Sequence, residues 1–278
     1  MIPQALINQD IKKWIAEDVP LWDVTSTLLP DSKAIGRIFA KQDGIIAGLP
    51  IIKRVFEFLE TEFILLVEEG SQVKKKTAVA SVKGPIVNLL QAERISLNLL
   101  GRMSGIATQT AAMIEIARKT NPTMRVSATR KTAPGLGKYD KYAVVVGGGD
   151  THRFNLSDMV LLKENHLKLF NSITEAIGTA KSKTSFSKKI EIEVQNEEQA
   201  LEASEAGADI IMLDNFSPVQ AKHVISKIRK ENPTILIELS GNINLENIEN
   251  FAIQGVNLIS SGSLTHSVKN FDLTMIIE

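Results

Sequence analysis

Between Pro122 and Ser260 short apolar runs alternate with helical segments, and no other feature of this chain restricts its fold so tightly. The pattern predicts strands at Met124–Ala128, Met159–Leu162, Ile190–Val194, Ile210–Leu213, Ile235–Leu239 and Leu258–Ser260. Helices are predicted between them, around Tyr139–Val146, Ile173–Lys181, Glu197–Ala206, Pro218–Lys230 and Leu245–Ala252. A strand that returns through a helix pairs in parallel with its neighbour, and strands with near-continuous apolar cores are covered on both faces. Six such strands suit a closed or nearly closed α/β barrel, with a doubly wound open sheet as the alternative. The polar residues separate the two. They follow one strand after another: Arg130 and Lys131, Lys163, Glu193 and Asp214, Ser240-Gly241, Ser261-Gly262. A βα barrel carries its chemistry on that rim, whereas an open sheet gathers it at one switch point.

The first third follows a different rule. Ile7, Ile11, Trp14 and Ile15 have helical spacing, stopped by Asp18-Val19-Pro20. Asp23-Val24-Thr25-Ser26-Thr27 is a polar cluster that caps or turns. Ala34–Ala47 reads as strand, turn, strand; a helix through Ile51, Ile52, Val55, Phe56 and Leu59 follows, then short strands at Phe63–Val67 and Ala78–Val82. From Glu93 the chain becomes helical and apolar through Ile95, Leu97, Leu99, Leu100, Met103, Ile106 and Ala107, and a second helix is predicted from Thr108 to Arg118. Helices this apolar are buried between layers or subunits.

Charge narrows what the rim binds. The chain has 278 residues, 44% hydrophobic and 23% charged, enough for one large domain or two smaller ones. Its 32 basic and 32 acidic side chains leave a formal net charge of zero, so no overall field draws it to nucleic acid or to a membrane surface. An anion site must therefore be built locally. There is no cysteine, hence no disulfide, thiolate zinc site or cysteine nucleophile. No apolar run approaches the roughly 20 residues that span a bilayer, and the N-terminus lacks a basic stretch followed by an apolar core, so a cytoplasmic protein is expected.

Arg130 and Lys131 close the first barrel strand, and Gly147-Gly148-Gly149-Asp150-Thr151 delivers His152 and Arg153. Lys163 closes the second strand. Ser240-Gly241-Asn242 and Ser261-Gly262-Ser263-Leu264-Thr265-His266 follow late strands, where small residues let backbone N–H groups approach a phosphate. Glu193 sits in Ile190-Glu191-Ile192-Glu193-Val194 and Asp214 follows Ile211-Met212-Leu213; a carboxylate there needs a cation, a metal or a hydroxyl. No His/Glu spacing suggests zinc, and no Gly-x-Ser-x-Gly elbow suggests a serine hydrolase.

Over most of its length the chain resembles the quinolinate phosphoribosyltransferases. The resemblance lies in Glu93-Arg94 with Leu97-Asn98, Ser104-Gly105-Ile106-Ala107-Thr108, Thr129-Arg130-Lys131-Thr132, Pro134-Gly135-Leu136 and Lys141-Tyr142-Ala143-Val144. It continues through Gly147-Gly148-Gly149, His152-Arg153, Lys163 with Asn165-His166, Glu193, Ala208–Asn215, Ser240-Gly241, and Gly262 with Leu264-Thr265-His266-Ser267. It implies an N-terminal α/β sandwich over residues 1–106, with segment 267–278 packing back on it, and an incomplete TIM-like α/β barrel over 107–266. The implied reaction joins quinolinate and phosphoribosyl pyrophosphate into nicotinate mononucleotide, pyrophosphate and CO2, with Mg2+ required, a step in making NAD.

By the same resemblance Arg130, His152, Arg153 and Lys163 hold the dicarboxylate, Lys131 and Lys163 neutralise pyrophosphate, and Glu193 and Asp214 serve ribose and Mg2+. Ser240, Gly241, Ser261, Gly262 and His266 form the 5′-phosphate site. Arg94 reaches into the partner's site, so a homodimer is implied, with a hexamer open. The chain departs from the family pattern at Ala128, Gly137 and Val145, where an acid and two arginines are usual, and at Asn242, Thr151 and Trp22. Two alternatives remain: a fold paralogue associated with molybdate transport and acting on another anion, which typically lacks a lysine matching Lys163, or a non-catalytic anion-binding barrel.

Overall fold

The computed structural model describes residues 2–278, and the chain separates into two compact units. The first comprises Met1–Gln109, Gly135–Gly148 and Val268–Glu278; the second comprises Thr110–Pro134 and Gly149–Ser267.

The first unit begins with helix α1 (Gln4–Asp18), which buries Ile7 and Ile11. Its sheet runs in the order β12-β1-β5-β3, from β1 (Lys33–Ala40), β3 (Glu62–Leu65), β5 (Ala78–Pro85) and the C-terminal β12 (Leu273–Ile277). All three pairings are antiparallel, and Ile38 lies opposite Met275 on one side and Ala80 on the other. Two short strands, β2 (Gly44–Ile45) and β4 (Gln72–Val73), pair separately. Helix α2 (Leu49–Phe58) buries Leu49, Ile51, Ile52, Val55 and Phe56.

The N-terminus of α2 is capped from a distance. Glu69 accepts from the Gly48 N–H at 2.7 Å and the Leu49 N–H at 2.9 Å, so a carboxylate meets the positive end of the helix dipole. Burial raises this carboxyl above the usual range, and the two N–H groups pull it back. Glu69→Ala is expected to lower stability by about 1 kcal/mol, read as a lower denaturation midpoint at unchanged slope.

The long apolar stretch after β5 is one helix, α3 (Ile86–Thr120, 35 residues), where the sequence suggested two. Gly101 and Gly105 lie inside it, and each is needed where the chain crosses the helix. A Cβ on Gly105 would lie 2.2 Å from the Lys269 carbonyl oxygen, and one on Gly101 would lie 2.9 Å from that of Phe271. The Phe271 N–H donates to the Gly101 carbonyl at 2.8 Å, which ties the chain leading into β12 to the helix. Helix α4 (Gly137–Val146) groups with this first unit although its neighbours in sequence form the second. Fully buried Asp140 accepts two bonds from Arg102 at 2.7 and 2.8 Å, Tyr139 donates to Asp10 at 2.8 Å, and the Trp14 and Tyr139 rings lie 5.4 Å apart.

The second unit is a six-stranded parallel sheet in the order β6-β11-β10-β9-β8-β7. Its strands are β6 (Arg125–Ser127), β7 (Val160–Leu162), β8 (Ile190–Val194), β9 (Ile210–Asp214), β10 (Leu236–Ser240) and β11 (Leu258–Ser260). Between them lie α5 (Glu164–Leu167), α6 (Ile173–Lys183), α7 (Glu197–Glu205), α8 (Pro218–Glu231) and α9 (Ile248–Phe251), with α10 (Ser263–His266) after the last strand. Side-chain caps start α6, α7 and α8, from Ser172, Asn196 and Ser217. β6 and β7 do not pair, so the barrel is incomplete. On the free side of β6 the chain at Asp150 makes a parallel bridge to Ser127; its N–H donates to the Val126 carbonyl and its carbonyl accepts from Ala128. That bridge carries His152 and Arg153 in from the glycine triplet. No described helix is long and apolar enough to cross a membrane.

Candidate active site

Parallel register decides which side chains share a face. Glu193 lies opposite Met212, Met212 opposite Glu238, and Asp214 opposite Ser240. With side chains alternating along each strand, Glu191, Glu193, Asp214, Glu238 and Ser240 therefore point to one face.

At the strand ends, Lys163 forms an ion pair with Glu193, whose side chain is 12% exposed. The Lys163 N–H donates to His166 Nδ1 at 2.9 Å, which fixes the backbone at the start of α5. Asp214 follows on β9 and accepts from the Asn215 side chain at 2.7 Å. Burial, then the charge of Glu193, raises its carboxyl above the usual range, against Lys163 and Lys131. Two carboxylates and two lysines thus share one part of the mouth. Burial, then the like charge of Arg130, lowers the Arg153 guanidinium, so these arginines form a second cationic group opposed by Glu191 and Asp158.

The late loops depend on missing side chains. A Cβ on Gly241 would lie 2.3 Å from Asn215 Oδ1, and Gly241 also has φ +106°, so only glycine fits. At Gly262 a Cβ would meet the His266 ring at 2.9 Å and Lys131 Cδ at 3.0 Å, so the lysine stem and the imidazole both pack over bare backbone. Thr265 Oγ1 donates to the Lys131 carbonyl at 2.8 Å and holds the loop after β6 in place.

One of the expected residues falls differently, and Arg94 lies where its position before the barrel implied. Ser261 is buried; its hydroxyl donates to the Ile243 carbonyl at 2.6 Å and its N–H to the Ser127 carbonyl at 3.0 Å, so both donors fasten the loop rather than face a phosphate. Arg94 belongs to the first unit, exposed on α3. Among the departures from the family pattern, Ala128 is fully buried just beyond β6, while Gly137 opens α4 and Val145 is half exposed on it.

Glu191 and Glu238 were missed by the sequence reading. Both are fully buried, and His152 Nε2 lies 3.3 Å from Glu191 Oε2 and 3.0 Å from Glu238 Oε2. The signal was available: Glu191 has the parity of Glu193, and Glu238 has the parity of Ser240, each an acid inside an apolar strand. Burial lowers the His152 imidazole, but hydrogen bonding to Glu191 and Glu238 outweighs it and raises the ring above its usual value. Glu191 is raised by burial and by the charge of Glu238.

This fold and rim define a βα barrel whose mouth gathers cations around paired carboxylates, a site for polyanionic substrates. The pattern of the quinolinate phosphoribosyl transferase N-terminal domain matches residues 23–104, and that of the C-terminal domain matches residues 106–276. The chain belongs to the quinolinate phosphoribosyl transferase family. It is similar to the probable nicotinate-nucleotide pyrophosphorylase (carboxylating) of Archaeoglobus fulgidus, 41% identical over 259 residues, which are 92% of this chain and 98% of that protein. The nicotinate-nucleotide pyrophosphorylase (carboxylating) of Rattus norvegicus is 34% identical over 275 residues, 99% of this chain and 92% of that one. The crystal structure of NadC from Streptococcus pyogenes superposes with a TM-score of 0.94 at 38% identity, covering all of this chain and 98% of that one. The nicotinate-nucleotide pyrophosphorylase structure from Francisella tularensis gives 0.94 at 31% identity, with the same coverage.

Proposed function

We propose that this chain is a carboxylating nicotinate-nucleotide pyrophosphorylase, which transfers phosphoribosyl from phosphoribosyl pyrophosphate to quinolinate and releases pyrophosphate and CO2. The observation that carries this reading is the rim itself: Lys163 paired with Glu193, Asp214 coupled to both, and Arg130 and Arg153 as a second cationic group, in a family whose similar members carry that name.

Each group has a task that its chemistry suits. Arg130 and Arg153 bind the two pyridine carboxylates through charge-assisted, bidentate contacts, which a planar guanidinium makes better than an ammonium. Lys163 and Lys131 neutralise the diphosphate and follow its charge as it leaves. Glu193 and Asp214 hold ribose hydroxyls, and their negative charge stabilises the positive charge that grows on the anomeric carbon. Ser240, Gly241, Gly262 and His266 surround the 5′-phosphate. After the new C–N bond forms, the ring-bound carboxylate leaves as CO2, and the nearby cations favour the electron pair left on the carbon beside the ring nitrogen until that carbon takes a proton from water.

Mg2+ fits the donor set. Glu193 and Asp214 offer hard oxygen ligands close enough that the charge of one raises the carboxyl of the other. Bound with the diphosphate, the ion would lend charge to the leaving group. Glu193→Gln and Asp214→Asn are expected to fold as the parent does, yet to raise KM for phosphoribosyl pyrophosphate at least about tenfold, because a neutral amide loses the attraction to the metal and to the cationic ribosyl centre. Steady-state kinetics check this, and full activity of both variants, or of the parent in excess chelator, would remove the metal role.

The protein works as a homodimer in the cytoplasm, with Arg94 of each subunit completing the other's site. The direct assay mixes purified protein with quinolinate, phosphoribosyl pyrophosphate and Mg2+. Nicotinate mononucleotide and CO2 in equal amounts are expected; product from nicotinate but not from quinolinate would overturn the assignment.

A further inference from the structure

The His152–Glu191–Glu238 cluster lies within the barrel unit, and none of the tasks above uses its carboxylates. One ligand atom from each residue falls within 4.8 Å of the others, an arrangement that invites a metal. Hydrogen bonding excludes that use of the ring. The Arg153 N–H donates to His152 Nδ1 at 2.8 Å, so Nδ1 spends its lone pair there. The two carboxylates favour a charged ring, but an imidazolium would aim an Nδ1 proton at the Arg153 N–H only 2.8 Å away, so the geometry holds the ring neutral with its single proton on Nε2, facing Glu238 Oε2 at 3.0 Å. A metal at Nε2 would need the lone pair that this proton occupies.

Both ring nitrogens are therefore engaged inside the protein, and neither is left for a substrate carboxylate. The backbone is strained to reach this arrangement, since His152 has φ 52° in the left-handed region. Asp150 Oδ1 accepts the His152 N–H at 2.8 Å and stabilises the bend. Glu238 Oε1 and Glu191 Oε1 are buried with no hydrogen-bond partner, and Glu191 Oε2 has only the His152 ring within reach, at 3.3 Å, so these acids are costly to bury unless holding the ring serves the site.

We propose that Glu238 is a positioning residue for substrate recognition: it fixes the His152 ring by accepting its Nε2 proton, and Nδ1 in turn fixes the Arg153 backbone. This assigns His152 a supporting place behind Arg153. It rests on the reading of Arg153 as a ligand of the pyridine dicarboxylate.

Two measurements test it. In protein labelled with 15N-histidine, the imidazole resonance lost in His152→Gln identifies the ring; with 4 histidines in the chain the spectrum is simple. Nε2 protonated and Nδ1 unprotonated is expected, and an Nδ1–H ring or a doubly protonated ring overturns the proposal. Kinetics supply the second. Glu238→Leu is expected to raise KM for quinolinate about tenfold or more, in the range typical when the partner of a binding side chain is lost, while KM for phosphoribosyl pyrophosphate moves less than about twofold. Glu238→Gln, whose amide oxygen still accepts the Nε2 proton, is expected to recover most of that loss. Equal changes in both KM values, or a Glu238→Gln no better than Glu238→Leu, overturn the proposal. Arg153→Ala separates the two readings: if it leaves quinolinate KM unchanged, the dicarboxylate assignment fails; if it raises that KM while Glu238→Leu does not, only the positioning role fails.

Discussion

Lys163→Ala is expected to lower kcat/KM by about 10³-fold, roughly 4 kcal/mol of transition-state stabilisation, with little change in stability. Three effects add in one direction. The lysine is the direct partner of Glu193 and also counters the charge of Asp214, so its loss leaves two neighbouring carboxylates without their shared cation. One of them then takes up a proton more readily, which weakens the charge meant for the ribosyl centre. The departing diphosphate loses a neutralising ammonium at the same time. Single-turnover product formation measures the chemical step, and near-normal turnover in the variant would sink the assignment. The variant also tests the shared site: mixed under subunit exchange with an inactive Arg94→Ala protein, it is expected to recover activity, because one site of each heterodimer has both residues. Heterodimers without recovery would place the whole site on one chain.

The next largest effect is expected from Arg153→Ala, a loss on the order of 10²-fold in kcat/KM for quinolinate, equivalent to a few kcal/mol for a charge-assisted pair with one partner removed. The variant also removes the cation that Arg130 repels and Glu191 opposes. Lys at this position is expected to restore only part of the loss, because a point charge cannot make the two parallel hydrogen bonds of a guanidinium. Competition with monocarboxylate pyridines is the discriminating measurement. Selectivity for the dicarboxylate should shrink in the variant, and unchanged selectivity would move the second carboxylate elsewhere on the rim.

The sequence by itself determined the six barrel strands and the direction of their sheet, and it put charged residues at the strand ends. Ile190–Val194 and Leu258–Ser260 are strands with the bounds their apolar runs suggested, because a short β-branched segment between turn residues has no competing way to bury itself. Lys163, Glu193 and Asp214 were legible for a related reason: a charge at the end of an apolar strand is hard to explain unless it meets another charge there, and Lys163 and Glu193 do.

Only the tertiary structure decided the rest. Gly101 and Gly105 do not break α3, since another part of the chain presses on them, and local propensity carries no record of that contact. The donors of Ser261 face inward because the carbonyls of Ile243 and Ser127 happen to lie there. Glu191 and Glu238 had the right parity in the sequence, yet their meeting with His152 requires three segments far apart in the chain, β8, β10 and the turn after Asp150. Periodicity reports which face a side chain takes; only the order and register of the folded strands report what stands beside it.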